Sequence, residues 1–167
     1  MALNIKSINN GLLGLLGSPV VLIRLSSILF VGLMVGHTSA YPWTSIHVLQ
    51  DMQLVDSMKS VEFVFMGEHS TYWNLYFGWG VWMAVSLLAL ATILWLLSDL
   101  AHLAPRSVGI ISGIISTTSL IGAYLSFRFF YIPPFLFYSA ICVILLTAAV
   151  QLLRQRIMGA DGKTEKL

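Results

Sequence analysis

The chain has 167 residues, 57% of them hydrophobic and 10% charged, with a formal net charge of +2. A soluble domain is ordinarily about 25% charged, so this chain has too little polar surface to coat a water-soluble fold, and a bilayer is the solvent its composition fits. The basic residues are spread out, which leaves no nucleic-acid footprint, and the single cysteine, Cys142, excludes an intramolecular disulfide, a Cys-x-x-Cys redox pair and a thiolate zinc site.

A span needs roughly 20 mostly apolar residues. The first candidate runs from about Val20 to Gly36, with Arg24 near its start, where a long side chain can snorkel to the headgroups. A rival reading makes residues 1–40 a cleaved signal peptide, with Thr38-Ser39-Ala40 as the cleavage site and Tyr41 as the mature start. The only long connection follows. Pro42 and the candidate N-caps Thr44 and Ser45 open a segment over about 44–60 with Val48, Met52 and Val55 on one face and His47, Gln50, Asp51 and Ser57 on the other. This predicts an amphipathic extracytoplasmic helix on the membrane surface or over the bundle mouth. Val61 to Met66 is too short and too charged to span, and reads as a re-entrant or interfacial piece.

The second span, about Trp73 to Leu97, is the longest and cleanest, and aromatic residues mark its start. Tyr72, Trp73, Tyr76 and Trp79 fit an interfacial belt. Trp82 lies deeper and could line a pocket for a lipid tail, isoprenoid or quinone ring. Asn74, Gly78, Trp82, Val85 and Ala89 trace one face. His102, near Asp99, fits a cap at the far end of this span through the helix dipole. The third span, Val108 to Phe130, carries Gly109 and Gly113 at GxxxG spacing, as the first carries Gly32 and Gly36. A stripe at every fourth position runs through Ser112, Ser116, Leu120, Tyr124 and Arg128. The expectation is that this stripe meets the Asn74 face of the second span, with Asn74 and Arg128 at the outer end. Pro133-Pro134 ends the third helix and forces a tight hairpin into a fourth span, Phe135 to Leu153, with residues 154–167 as a tail. The fold class is therefore all-α: one integral membrane domain over residues 1–167, a bundle of four transmembrane helices.

Short cytoplasmic loops hold the excess of lysine and arginine. With four spans, one side collects Lys6, Arg24, Arg106, Arg154, Arg156, Lys163 and Lys166. The other has Lys59 and Arg128 against Asp51, Asp56, Glu62 and Glu68. Both termini are predicted to be cytoplasmic, and the segment from His37 to Tyr72 to face outward.

Candidate ligand-binding residues gather at that outer mouth: His37, Glu62, Glu68, His69, Asn74, Tyr76, Trp82 and Arg128. Arg128 either snorkels outward or pairs with Glu62 or Glu68, fixing the outer loop or holding an anionic ligand group. His37, His47 and His69 are weak metal or haem candidates, since none lies in a compact motif such as His-x-x-x-His. In a catalytic reading Glu68 or a histidine would be the acid or base. No Gly-rich phosphate loop, nucleophile elbow or paired catalytic carboxylate occurs.

Gly36-His37-Thr38, Tyr72-Trp73-x-x-Tyr76-Phe77-Gly78 and Arg128-Phe129-Phe130-x-x-Pro133-Pro134 resemble a family of small, uncharacterised bacterial four-helix membrane proteins, over about Leu22 to Leu153. The resemblance implies the same topology, a bacterial inner (plasma) membrane, and convergence of His37, Tyr76 and Arg128 near the outer face. The leading expectation is a non-enzymatic accessory or assembly subunit, in a membrane complex or a homo-oligomer surrounded by membrane lipids. The alternative is a lipid- or quinone-like ligand-binding protein, or an intramembrane enzyme, with its site at the outer mouth.

Overall fold

The computed structural model describes residues 17–40 and 49–164. Four of its helices are long and apolar enough to cross a membrane: α1 (Pro19–Ala40), α3 (Tyr72–Asp99), α4 (Pro105–Phe129) and the stretch Ile132–Arg154 of α5 (Ile132–Thr164). Between α1 and α3 lie a shorter helix, α2 (Leu49–Ser60), and two strands, β1 (Glu62–Phe65) and β2 (Glu68–Thr71).

Local signals set the helix ends. Pro19 begins α1, a position where its missing N–H costs nothing, and the Ser18 carbonyl accepts the Leu22 N–H at 3.0 Å. Thr71 caps α3, its Oγ1 accepting the Asn74 N–H at 3.2 Å. Pro105 opens α4 in the same way as Pro19. The two prolines of the 132–134 segment lie in the first turn of α5, so this helix starts three residues before the expected Phe135. Proline ends the helix before it but is pre-set for the first turn of the next.

Two findings concern residues 49–71. Within the expected amphipathic segment, α2 is helical, but Met52 on its apolar face is 49% exposed and Leu54 is 60% exposed. Only Val55 and Met58 are half-buried among residues 51–60. Pro42, Thr44, Ser45, His47 and Val48 lie outside the described residues. The stretch read as a re-entrant or interfacial piece forms the first strand of an antiparallel hairpin, paired Glu62↔Thr71, Phe63↔Ser70, Val64↔His69 and Phe65↔Glu68. Met66 (φ 54) and Gly67 (φ 89) make its two-residue turn. Positive φ at both positions is the type I′ geometry whose twist matches paired strands.

The chain divides into two compact units. The four-helix unit comprises residues up to Val31 and from Leu90 onward, and the hairpin unit is Gly32–Ala89. In the four-helix unit, Ile23, Phe30, Leu94, Ile141, Leu145 and Leu152 form a fully buried core. The Ser27 hydroxyl donates to the Ala91 carbonyl at 2.7 Å, and the Phe30 and Tyr138 rings meet edge-on with centroids 6.4 Å apart. Along α4, Ser112, Ser116, Ser119, Ala123 and Ser126 are buried. This face meets α5. A Cβ at Gly109 would lie 3.2 Å from Leu153, and one at Gly122 would lie 3.0 Å from the Tyr138 ring. Ser116 Oγ donates to the Cys142 carbonyl at 2.8 Å. Small residues at these positions let the two backbones approach closely enough for a side-chain hydroxyl to reach a facing carbonyl.

The faces expected to join the second and third spans behave differently. Leu120 and Tyr124 of the α4 stripe are 59% and 65% exposed. A strict four-residue step turns about 40° too far each time, so from 112 to 128 it drifts about 160° around the helix. Positions 112, 116, 119, 123 and 126, alternating steps of three and four, stay on the packed side. On α3, Asn74, Gly78, Trp82, Val85 and Ala89 are all exposed. Its buried positions are Gly80, Leu87, Ala91, Leu94 and Ser98.

Candidate functional site

The hairpin unit holds most of the candidate residues. Thr71 is both the last residue of β2 and the cap of α3, so the sheet runs into the helix without a linker. Phe63 packs on Tyr72, centroids 5.1 Å apart, and the Lys59 ammonium sits 5.0 Å above the Trp73 ring. Trp73 in turn lies 6.0 Å from Tyr76 and 6.3 Å from Phe77. These contacts fix the hairpin and α2 to the first turns of α3.

Beside this aromatic cluster, an open groove of about 480 Å³ is lined by Ser70, Asn74, Leu75, Gly78, Trp79 and Trp82. Asn74, Gly78 and Trp82 are successive four-residue steps on α3, with Leu75 and Trp79 alongside. The volume falls within the range of small-molecule sites. Ser70 and Asn74 are its polar residues, while Leu75 and the rings of Trp79 and Trp82 are largely apolar. Gly78 forms an open floor, since a Cβ there would meet nothing within 4 Å. None of the lining side chains titrates near neutral pH.

Of the eight candidate residues, only Asn74 and Trp82 line the groove. Asn74, expected to turn toward the bundle, is exposed, as is Trp82 at 64%. Tyr76 is adjacent through its contact with Trp73. His37, in the last turn of α1, lies with Nε2 3.0 Å from the Gly80 carbonyl, so its Nε2–H tautomer donates there. Glu62 pairs with His69 across the sheet at 3.8 Å, with the two side chains 69% and 73% exposed. A contact this open, ionic only when His69 is protonated, contributes little, of order 0–1 kcal/mol, and lacks the dry surroundings that tune a catalytic acid or base. Glu68 is exposed opposite Phe65. Arg128 belongs to the four-helix unit, exposed in the last turn of α4, with its guanidinium carbon 5.4 Å from the Phe129 ring. Among the described residues no group of three or more histidine, cysteine or acidic side chains could hold a metal ion. His47 lies outside them.

Sequence reasoning overlooked two features. Ser70 and Leu75 join the groove although neither has a distinctive motif; only the hairpin pairing brings Ser70 to the helix. In the four-helix unit, Arg24 does more than snorkel. Its Nε donates to Ser98 Oγ at 3.0 Å, its Nη2 donates to Asp99 Oδ1 at 2.8 Å, and its guanidinium lies 5.2 Å from the Trp95 ring. The signal for this clamp was the presence of one cation and one anion at the ends of two adjacent spans. Compared with family models, characterised proteins and solved structures, the chain matches none of them.

Proposed function

We propose that this small membrane protein is a non-enzymatic accessory or assembly subunit, and that its hairpin unit provides the surface covered by another membrane helix, from a partner or from a second copy. One observation carries this reading. Gly109, Gly113 and Gly122 have side chains of α5 within 4 Å of a built Cβ, whereas Gly36 and Gly78 have none. Open small-residue positions in a bilayer are where a further helix can approach. Gly36→Leu combined with Gly78→Leu is expected to remove the associated mass in native mass spectrometry from mild detergent while leaving thermal stability nearly unchanged. Retention of the partner or oligomer by this variant would reject the proposal.

The groove favours a second reading, in which a lipid- or quinone-like molecule lies along α3 with its polar group at Ser70 and Asn74 and its chain against Trp79 and Trp82. Here the lone chain would retain a small molecule in native mass spectrometry and lose it on Trp82→Ala. In both readings the termini are cytoplasmic and the membrane is a bacterial inner membrane, supported by the distribution of lysine and arginine and by the family resemblance. Reporter fusions at the C-terminus and within α2 test the orientation. A reporter pattern placing α2 in the cytoplasm would reverse it.

A further inference from the structure

We infer that the β-hairpin is a membrane-interface finger, with Phe63, Phe65 and Met66 seated among the lipid headgroups and upper acyl chains beside α3, and with Glu62 and His69 turned to water. The inference rests on the reading that α3 spans a bilayer.

The pairing register sorts the hairpin into two faces. Residues directly opposite each other share a face, and successive residues alternate. Phe63 with Ser70 and Phe65 with Glu68 therefore lie on one side, and Glu62 with Thr71 and Val64 with His69 on the other. Ser70 lines the α3 groove and Phe63 packs on Tyr72, so the side that bears both phenylalanines is directed to the helix. The opposite side carries the Glu62–His69 pair.

Apart from the Glu68 carboxylate, which can reach to headgroup level, the tip is apolar and uncovered. Phe65 is 67% exposed and Met66 90%, the highest exposure of any large hydrophobic residue described. Water is a poor solvent for such a tip, and the nearest apolar medium is the one that surrounds α3. At 28 residues, α3 is about 42 Å long. The hydrocarbon core is only about 30 Å thick, so an end of α3 stands at headgroup level. Tyr72, Trp73 and Tyr76 mark that level at its N-terminal end, as interfacial aromatics do. A four-residue strand spans about 13 Å, so the tip stays within reach of the membrane surface. Lys59 over Trp73 places a cation in the same layer, where lipid phosphates lie.

Depth measurement tests this. In a Cys142→Ala background, the variants Met66→Cys, Phe65→Cys, Asp56→Cys and Val85→Cys are labelled with an environment-sensitive fluorophore. Each is reconstituted into vesicles of phosphatidylethanolamine and phosphatidylglycerol that contain nitroxide-bearing lipids. Labels at 65 and 66 are expected to emit to the blue of the label at 56 and to be quenched most by nitroxides near the headgroups. The label at 85 is expected to be quenched most by deep nitroxides. Water-like emission at 65 and 66, with 85 still deep, would overturn the finger and leave the spanning reading intact. Water-like emission at 85 as well would mean that the spanning reading itself had failed. Shielding of 65 and 66 in native membranes but not in vesicles would assign the tip to a protein partner and also overturn the proposal.

Discussion

The four-helix unit and the hairpin unit both draw on apolar helices but, Gly80 apart, use their glycines in opposite ways. In the four-helix unit, glycines and serines lie under neighbouring side chains: Gly122 under Tyr138, Gly109 under Leu153, and Ser116 against the Cys142 carbonyl. In the hairpin unit Gly36 and Gly78 face open space, and large aromatics such as Trp79 and Trp82 stand exposed around the latter. Lipid tails are as apolar as leucine, so burial of hydrocarbon gives a membrane helix little reason to associate. Close packing and interhelical hydrogen bonds give it that reason. By that standard the four-helix unit is closed on itself, and the exposed face of the hairpin unit is available to lipid, ligand or another helix.

The largest expected effect tests this contrast directly. Gly122→Leu drives a side chain into Tyr138, whose ring also packs against Phe30, and should cost about 1–3 kcal/mol. Gly36→Leu meets no neighbour and should stay within about 0.5 kcal/mol. Thermal unfolding in detergent compares the two, and equal losses would erase the distinction between packed and open glycines.

The next prediction acts on the hairpin alone. Gly67 has φ +89, a conformation that a Cβ disfavours by about 1–2 kcal/mol, so Gly67→Ala should speed amide exchange across residues 62–71. Exchange in the buried parts of α4 and α5 should be unaltered. If those amides also exchange faster, the division into two units is wrong.

Smaller effects sharpen the picture of the four-helix unit. Arg24→Met and Asp99→Asn should each cost up to about 1 kcal/mol, because both side chains are partly solvent-exposed. Their double mutant should show less than the sum, and a fully additive cycle would deny the clamp. Ser116→Ala removes one interhelical hydrogen bond and should cost about 0.6 kcal/mol, measured against the near-neutral control Thr117→Ala on the exposed side of α4.

Hydropathy and proline placement made the spans readable in advance: the first two expected spans fall within α1 and α3, and the third overlaps α4 almost completely. The hairpin was not readable. Its strands have only four residues each, and Met-Gly is a weak signal beside the Asn-Gly or Asp-Gly that usually marks a type I′ turn. Within the candidate site, Asn74 and Trp82 could be found from their shared helix face. Ser70 could not, because it reaches the groove only through strand pairing. Glu62 or Glu68 was one of two expected settings for Arg128, the other being outward snorkelling; the observed partner of Glu62 is His69, the diagonal neighbour two residues from its register partner Thr71.

The amino-acid sequence by itself determined the membrane-fitting composition, the four apolar helices and the punctuation between the last two. These depend on transfer of side chains from water and on backbone hydrogen bonding, which are local properties of twenty-residue stretches. Only the tertiary structure decided which side of each helix is packed. Polarity marks the packed face only loosely: Ser112, Ser116, Ser119 and Ser126 of α4 are buried, but a four-residue step from Ser112 leads on to the exposed Leu120 and Tyr124. That choice falls to steric fit, which placed the Gly109, Ser116 and Gly122 face of α4 against α5 and left the Asn74, Gly78 and Trp82 face of α3 exposed.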